Sequence, residues 1–191
     1  MHRIAASPLY ERAIAAVADL LTRQRLDYVF AGNVARAAHL GTPIDEGSID
    51  VIATMGPQQM NQVAMMASHR GFRVERDEIE AAEELDLIPM HFEDVRVHVL
   101  VASNALYGRM VADGVVAEWP GDQVAEDPAT RQPGNPATRL KVPRAEDFAL
   151  LLQMSNDVTA LMTLIESAEF DRTYYNDKLT SIGLRELVIP E

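Results

Sequence analysis

The residues best equipped for chemistry sit at alternating positions in two apolar runs. In Ser48-Ile49-Asp50-Val51-Ile52-Ala53 the two-residue period of a strand puts Ser48, Asp50 and Ile52 on one face and Ile49, Val51 and Ala53 on the other. In Val95-Arg96-Val97-His98-Val99-Leu100-Val101 the four valines take one face and leave Arg96, His98 and Leu100 on the other. If the two strands are neighbours in one sheet, Ser48, Asp50, Arg96 and His98 form a small polar surface. One outcome is an ion pair of Asp50 with Arg96 or His98 at the sheet edge, of little energetic weight. The other is a site, because polar groups on a strand that faces a glycine-containing turn, here Gly32-Asn33, can hold an anion and a metal.

The remaining candidates are plainer. His39, His69 and His91 have no ligand spacing such as HExxH and read as surface or core-edge histidines, and His2 sits in a terminus expected to be mobile. The acidic stretch from Asp77 to Asp86 lacks the spacing of an EF-hand and reads as a solvated face. Met55, Met60, Met65 and Met66 are expected to fill core space, unless two adjacent methionines prove exposed. No G-x-S-x-G, P-loop or dinucleotide-binding fingerprint occurs.

The elements that position the polar residues can be read from periodicity and punctuation. Ser7-Pro8 opens a helix, with serine able to cap the free amides, and Leu9, Ala13, Ala16, Val17 and Leu20 give it a buried face. Tyr28 to Ala31 reads as a short buried strand up to Gly32, and Val34 to Leu40 as a short helix. Met60, Val63, Ala64 and Ala67 mark a helix that Gly71 ends, and Phe72 to Glu75 an edge strand. Asn104 to Ala112 reads as helix. From Trp119 to Pro143 five prolines and two glycines leave no room for a regular element, and a PATR tetrapeptide recurs there without assignable meaning. Glu146 to Glu166 has the pattern of a helical hairpin or a helix broken near Ser155-Asn156, and a last helix spans Arg172 to Ile182. The expected architecture is therefore α+β (α/β): an α/β domain over 1–118, a Pro/Gly-rich loop or linker over 119–143, and a helical C-terminal subdomain over 144–191.

Composition sets the outer bounds. A chain of 191 residues with 48% hydrophobic and 24% charged residues can bury a substantial core and is neither collagen-like nor wholly disordered. No apolar run is long enough to span a membrane, and the N-terminus lacks a secretory apolar region, which makes the cytoplasm the default location. The absence of cysteine excludes disulfides, thiolate metal sites and cysteine nucleophiles. With 17 Lys plus Arg against 29 Asp plus Glu, the net charge of −12 disfavours nucleic acid over most of the surface.

The order of these pieces resembles the nucleotidyltransferase superfamily, in particular its minimal and AbiEii-like members, which often occur in toxin–antitoxin pairs. The resemblance runs over roughly residues 8 to 182. It is carried by the strand and turn Tyr28-Val29-Phe30-Ala31-Gly32-Asn33-Val34-Ala35, by Gly41, Ile44 and Glu46 leading into Ser48-Ile49-Asp50, by Val97-His98-Val99-Leu100, and by Pro143-Arg144-Ala145-Glu146-Asp147-Phe148. The resemblance implies a mixed β-sheet flanked by helices, a nucleoside triphosphate ligand near Gly32, Asn33 and Arg96, and magnesium or manganese held by carboxylates. The chain departs from that pattern at the carboxylates. Ser48 and His98 occupy two of the three positions and Asp50 alone remains, a poor cradle for two ions that prefer oxygen ligands in octahedral geometry. Leu152 falls where the family has a lysine, no downstream arginine appears in 153–157, and Asn33 replaces a small turn residue while keeping a donor for phosphate. Asp45 and Glu46 are the only nearby substitutes, if their loop folds back.

Three functions are compatible with this sequence. The first is a nucleotidyltransferase-fold protein that is catalytically impaired or inactive, still binding a nucleotide or acting through a protein partner. The second is an active enzyme with an altered site, in which Asp50 and His98 hold one metal or His98 is a general base. The third is a non-catalytic module whose acidic Asp77 to Asp86 stretch meets a basic partner.

Overall fold

The computed structural model describes residues 1–74, 86–118 and 139–182. The chain divides into two compact units, Met1–Pro143 and Arg144–Glu191. In the first unit the described elements run α1 (Pro8–Arg23), β1 (Tyr28–Phe30), α2 (Gly32–Leu40), β2 (Ser48–Ala53), α3 (Pro57–Ser68), β3 (Phe72–Arg73), β4 (Leu87–Phe92), β5 (Val95–Val101), α4 (Ala105–Asp113), β6 (Val115–Glu118) and β7 (Arg139–Val142). In the second unit α5 (Ala145–Met154), α6 (Val158–Ile165) and α7 (Arg172–Ser181) follow. The architecture is α+β, a mixed sheet flanked by helices followed by helices alone.

Five strands form one sheet in the order β1-β2-β5-β4-β3, and β6 and β7 form a separate antiparallel pair. β2 and β5 run parallel at the centre, while the other pairings are antiparallel. One hydrophobic face makes that centre stable. Ile49 and Val51 of β2, Val97 and Val99 of β5 and Met90 of β4 are fully buried, and α1 packs on β5 while α3 packs on β3 and β4. The opposite face carries Ser48, Asp50 and His98, all half-buried. It is closed near β1, where Val29 and Ile52 are buried and a Cβ on Gly114 would lie 2.7 Å from Val29 Cγ1.

Local chemistry explains the helix ends. Pro8 starts α1 at its first position, although the Ser7 side chain makes no capping bond; the Ser7 amide donates instead to Ile44 O. The Gly56 amide donates to Gln59 Oε1 at the start of α3, and Asn104 Oδ1 accepts from the Tyr107 amide at the start of α4. Lys141 reaches the other end of α4 and donates to the carbonyls of Val111 and Ala112, placing a cation at the negative end of the helix.

Several expectations change. The N-terminus is tied down: the His2 amide donates to Ala38 O, the Ile4 amide to Glu118 O, and the Ile4 side chain is fully buried. The segment Leu87–Phe92, which the sequence left unassigned after an acidic run, is β4, with Pro89 tolerated in register opposite His98. The breaker-rich stretch does contain a regular element, because Arg139–Val142 pairs with Val115–Glu118 and buries Leu140 and Val142. The surface polar patch is not at a sheet edge but on its two central strands. Met55 is buried, whereas Met65 is 58% exposed, so α3 presents one methionine to solvent rather than to the core. The acidic stretch lies outside the described residues except for Asp86.

In the second unit, Asn156 adopts φ 58° and turns α5 into α6, as the Ser155-Asn156 break requires. Glu146 and Asp147 in the first turn of α5 are buried. Glu146 Oε1 accepts from the Asp171 amide at 2.9 Å, and Tyr174 Oη donates to Asp147 Oδ1 at 3.5 Å, which joins α5 to the start of α7. The Glu-Asp pair that carries part of the resemblance is thus a buried tie between helices.

Two measurements check this description. Ile4→Ala is expected to lower unfolding free energy in urea by about 2–5 kcal/mol, as for other buried isoleucines; a mobile terminus would show no change. Burial pushes the Tyr175 phenol up to about 12, and its hydroxyl donates to Gln153 Oε1. A raised phenol favours the neutral folded form, so stability is complete below the ordinary tyrosine value of ~10 and falls as pH rises from there toward 12. Tyr175→Phe is expected to remove that part of the alkaline loss in a pH series of unfolding midpoints.

Candidate functional site

Register builds the site. The parallel pairing sets Ser48 opposite Arg96 and Asp50 opposite His98. His98 Nδ1 lies 2.9 Å from Asp50 Oδ1, and Ser48 Oγ donates to the same oxygen at 2.9 Å. An ionised carboxylate has no proton to give, so the proton of the first contact is on His98 Nδ1. The side chains of His98 and Asp50 are about one-third and one-quarter exposed, 32% and 26%. The pair is therefore half-solvated.

The other carboxylate oxygen faces the β1–α2 turn. Gly32 has φ +48°, and a Cβ there would stand 2.3 Å from Asp50 Oδ2. Glycine is required on two counts, the left-handed backbone and the close approach. The Ala31 amide donates to Asp50 O at 2.8 Å and fixes the same turn to β2. Asn33 follows, and its Nδ2 donates to Glu46 O and Ser48 O, each at 3.2 Å. That amide holds the loop before β2 rather than standing open as a phosphate donor. Gly47 in this loop has φ +85°, and a Cβ there would strike Asn33 Nδ2. Tyr10 Oη donates to Gly47 O at 2.9 Å from α1. Burial raises the Tyr10 phenol above its ordinary value, the nearby Glu46 and Asp45 carboxylates add to that, and Arg96 opposes it.

The sequence-derived residues thus fall into two groups. Gly32, Ser48, Asp50 and His98 meet at one point, while Asn33 braces the loop beside them and Arg96 is exposed at the same end of the sheet. Arg96 does not pair with Asp50; the hydrogen-bond partner of that carboxylate on β5 is His98. His39 Nε2 is bonded to Pro143 O at 2.8 Å, His69 is exposed after α3, and His91 is half-buried beside Arg96 in β4. His91 reads in the sequence as a surface or core-edge histidine, and its place opposite Arg96 becomes visible only with the unassigned β4.

The donor set does not fit a pair of magnesium ions. Among the described residues no three His, Asp or Glu side chains converge, and Asp45 and Glu46 are exposed in their loop. Asp50 and His98 provide two ligands, with one carboxylate oxygen already accepting two hydrogen bonds, against the six oxygen donors that magnesium prefers.

No protein-family model matches the chain, and no curated protein matches it. Among solved structures, the crystal structure of ANT(2")-Ia in complex with adenylyl-2"-tobramycin aligns with 91% of this chain and 94% of its own, at 13% identity and a TM-score of 0.46. No helix among the described residues is long and apolar enough to cross a membrane.

The contact between Gly32 and Asp50 gives a direct test. Gly32→Ala is expected to cost about 1–3 kcal/mol from backbone strain and overpacking. In an Asp50→Ala background the steric part disappears, so the double-mutant cycle should show coupling above ~0.5 kcal/mol; additive effects in urea unfolding would mean that the two residues do not touch.

Proposed function

We propose that this chain is a nucleotidyltransferase-like protein with an impaired or absent transfer activity, whose centre binds a phosphate-bearing ligand rather than activating it. The observation that carries the reading is the state of Asp50. It is the one carboxylate at the meeting point of β2, β5 and the β1–α2 turn, and its Oδ1 accepts from both Ser48 and His98. Two-metal chemistry works by clamping the attacking and leaving oxygens between cations held by several carboxylates. Replacing two of those by a hydroxyl and an imidazole removes negative charge from the cradle and engages Oδ1 of the remaining carboxylate with protein donors. The resemblance in element order supports the family reading, and the hydrogen-bonded centre supports the impairment.

A second reading has its own support. Asp50 holds His98 through Nδ1, the arrangement that orients an imidazole with Nε2 available to take a proton from a hydroxyl. An altered enzyme would use His98 as that base. Ser48 is not a nucleophile in this arrangement, because its hydroxyl points to Asp50 and not to the ring.

Nucleotidyl transfer from labelled ATP to water or to the protein, with magnesium and then with manganese, separates the two. The expected outcome is a background rate that Asp50→Ala and His98→Ala leave unchanged. A rate that both variants reduce by ~100-fold or more, the usual range for loss of a general base, establishes the altered enzyme instead.

A further inference from the structure

A cleft of about 310 Å³ opens at the end of the β1–β2 pair remote from Asp50, lined by Asp27, Thr54, Gly108, Val111, Ala112 and Lys141. All six residues belong to the first unit, where α4 packs on β1 and β2. Asp27 precedes β1 and Thr54 follows β2, and the Thr54 amide donates to Asp27 O, which keeps the two side by side. Four residues of extended strand, roughly 13 Å, separate Thr54 from Asp50, so the cleft is distinct from the centre described above.

The fold does not use up the polar groups of this cleft. Among the described residues the Asp27 carboxylate makes no ion pair and the Thr54 hydroxyl no hydrogen bond. Lys141 donates to the carbonyls of Val111 and Ala112. An ammonium has three protons, so one is left over, and the positive charge meets no carboxylate. An anion and a cation thus line one cleft without touching each other. Gly108 is a second, independent observation. It sits inside α4, where glycine costs helix stability relative to alanine, yet a Cβ built on it would meet nothing within 4 Å. Packing does not demand glycine there; its effect is to leave one wall of the cleft bare.

We infer that this cleft binds a free α-amino acid with a short side chain. Its α-ammonium donates to the Asp27 carboxylate and the Thr54 hydroxyl, its α-carboxylate accepts from Lys141, and its side chain lies against Val111, Ala112 and the bare wall at Gly108. Each charged group of the protein then meets its opposite, as neither does in the free chain. The volume lies at the lower end of the ~300–1,000 Å³ of ligand clefts, which suits a ligand this small. The inference is independent of the state of Asp50.

Calorimetric titration of the full chain with glycine, alanine, serine and threonine tests it, with ethylamine and propionate as the two halves of alanine that keep one charge each. At least one of the four amino acids is expected to bind, and neither half to match it. Asp27→Asn should weaken binding by about tenfold or more, the worth of a hydrogen bond to a charged group. Gly108→Leu is expected to abolish binding while raising the unfolding midpoint through better helix propensity, a combination that a merely structural glycine would not give. Should Gly108→Leu lower the midpoint instead, Asp27→Asn alone decides. No binding of any of the four, equal binding of ethylamine or propionate, or binding that Asp27→Asn leaves unchanged overturns the inference.

Discussion

Parallel pairing of β2 with β5 is the constraint on which the first unit depends, because it sets Asp50 opposite His98 and Ser48 opposite Arg96 at the middle of the sheet. A parallel pair must be buried on at least one side to be stable, and here Ile49, Val51, Val97 and Val99 provide that side beneath α1 and α3. The polar residues come to the other face by parity alone. A slip of one residue would move Asp50 into the hydrophobic layer, where an unpaired carboxylate is costly. Burial on one face therefore fixes the chemistry on the other.

The glycine at the β1–α2 turn works in the same direction. Gly32 lets the chain leave β1 with positive φ and pass directly over Asp50, and the absence of a side chain leaves Oδ2 facing the turn. Ser48 and His98 occupy Oδ1. The carboxylate is thus enclosed by its own fold from several directions, with the loop before β2 braced by Asn33 and Tyr10.

Much of this was legible in the residues. Two-residue alternation located β2 and β5 and the shared face of Ser48, Asp50, Arg96 and His98, since those runs combine β-branched residues with a strict period. Helix stops such as Gly71, and the break near Ser155-Asn156, were readable from residues that tolerate positive φ. What escaped was set by tertiary context. β4 contains Pro89 and follows a run of acids, so local preference argued against a strand that pairing with β5 nevertheless imposes. β7 is four residues long at the end of a breaker-rich segment, too short for any period to show. The N-terminal six residues carry no pattern, and only the burial of Ile4 reveals their role.

The central claim is that Asp50 is held by hydrogen bonds and is not a metal ligand. Titration of the isotopically labelled chain with manganese, followed by paramagnetic broadening of backbone and histidine ring signals, tests it most directly. The account predicts that Gly32, Ser48, Asp50 and His98 keep their signals, with the His98 ring protonated at Nδ1, while broadening is confined to exposed acids elsewhere. Selective loss of the Asp50 and His98 signals at low manganese would contradict it and make this centre a metal site.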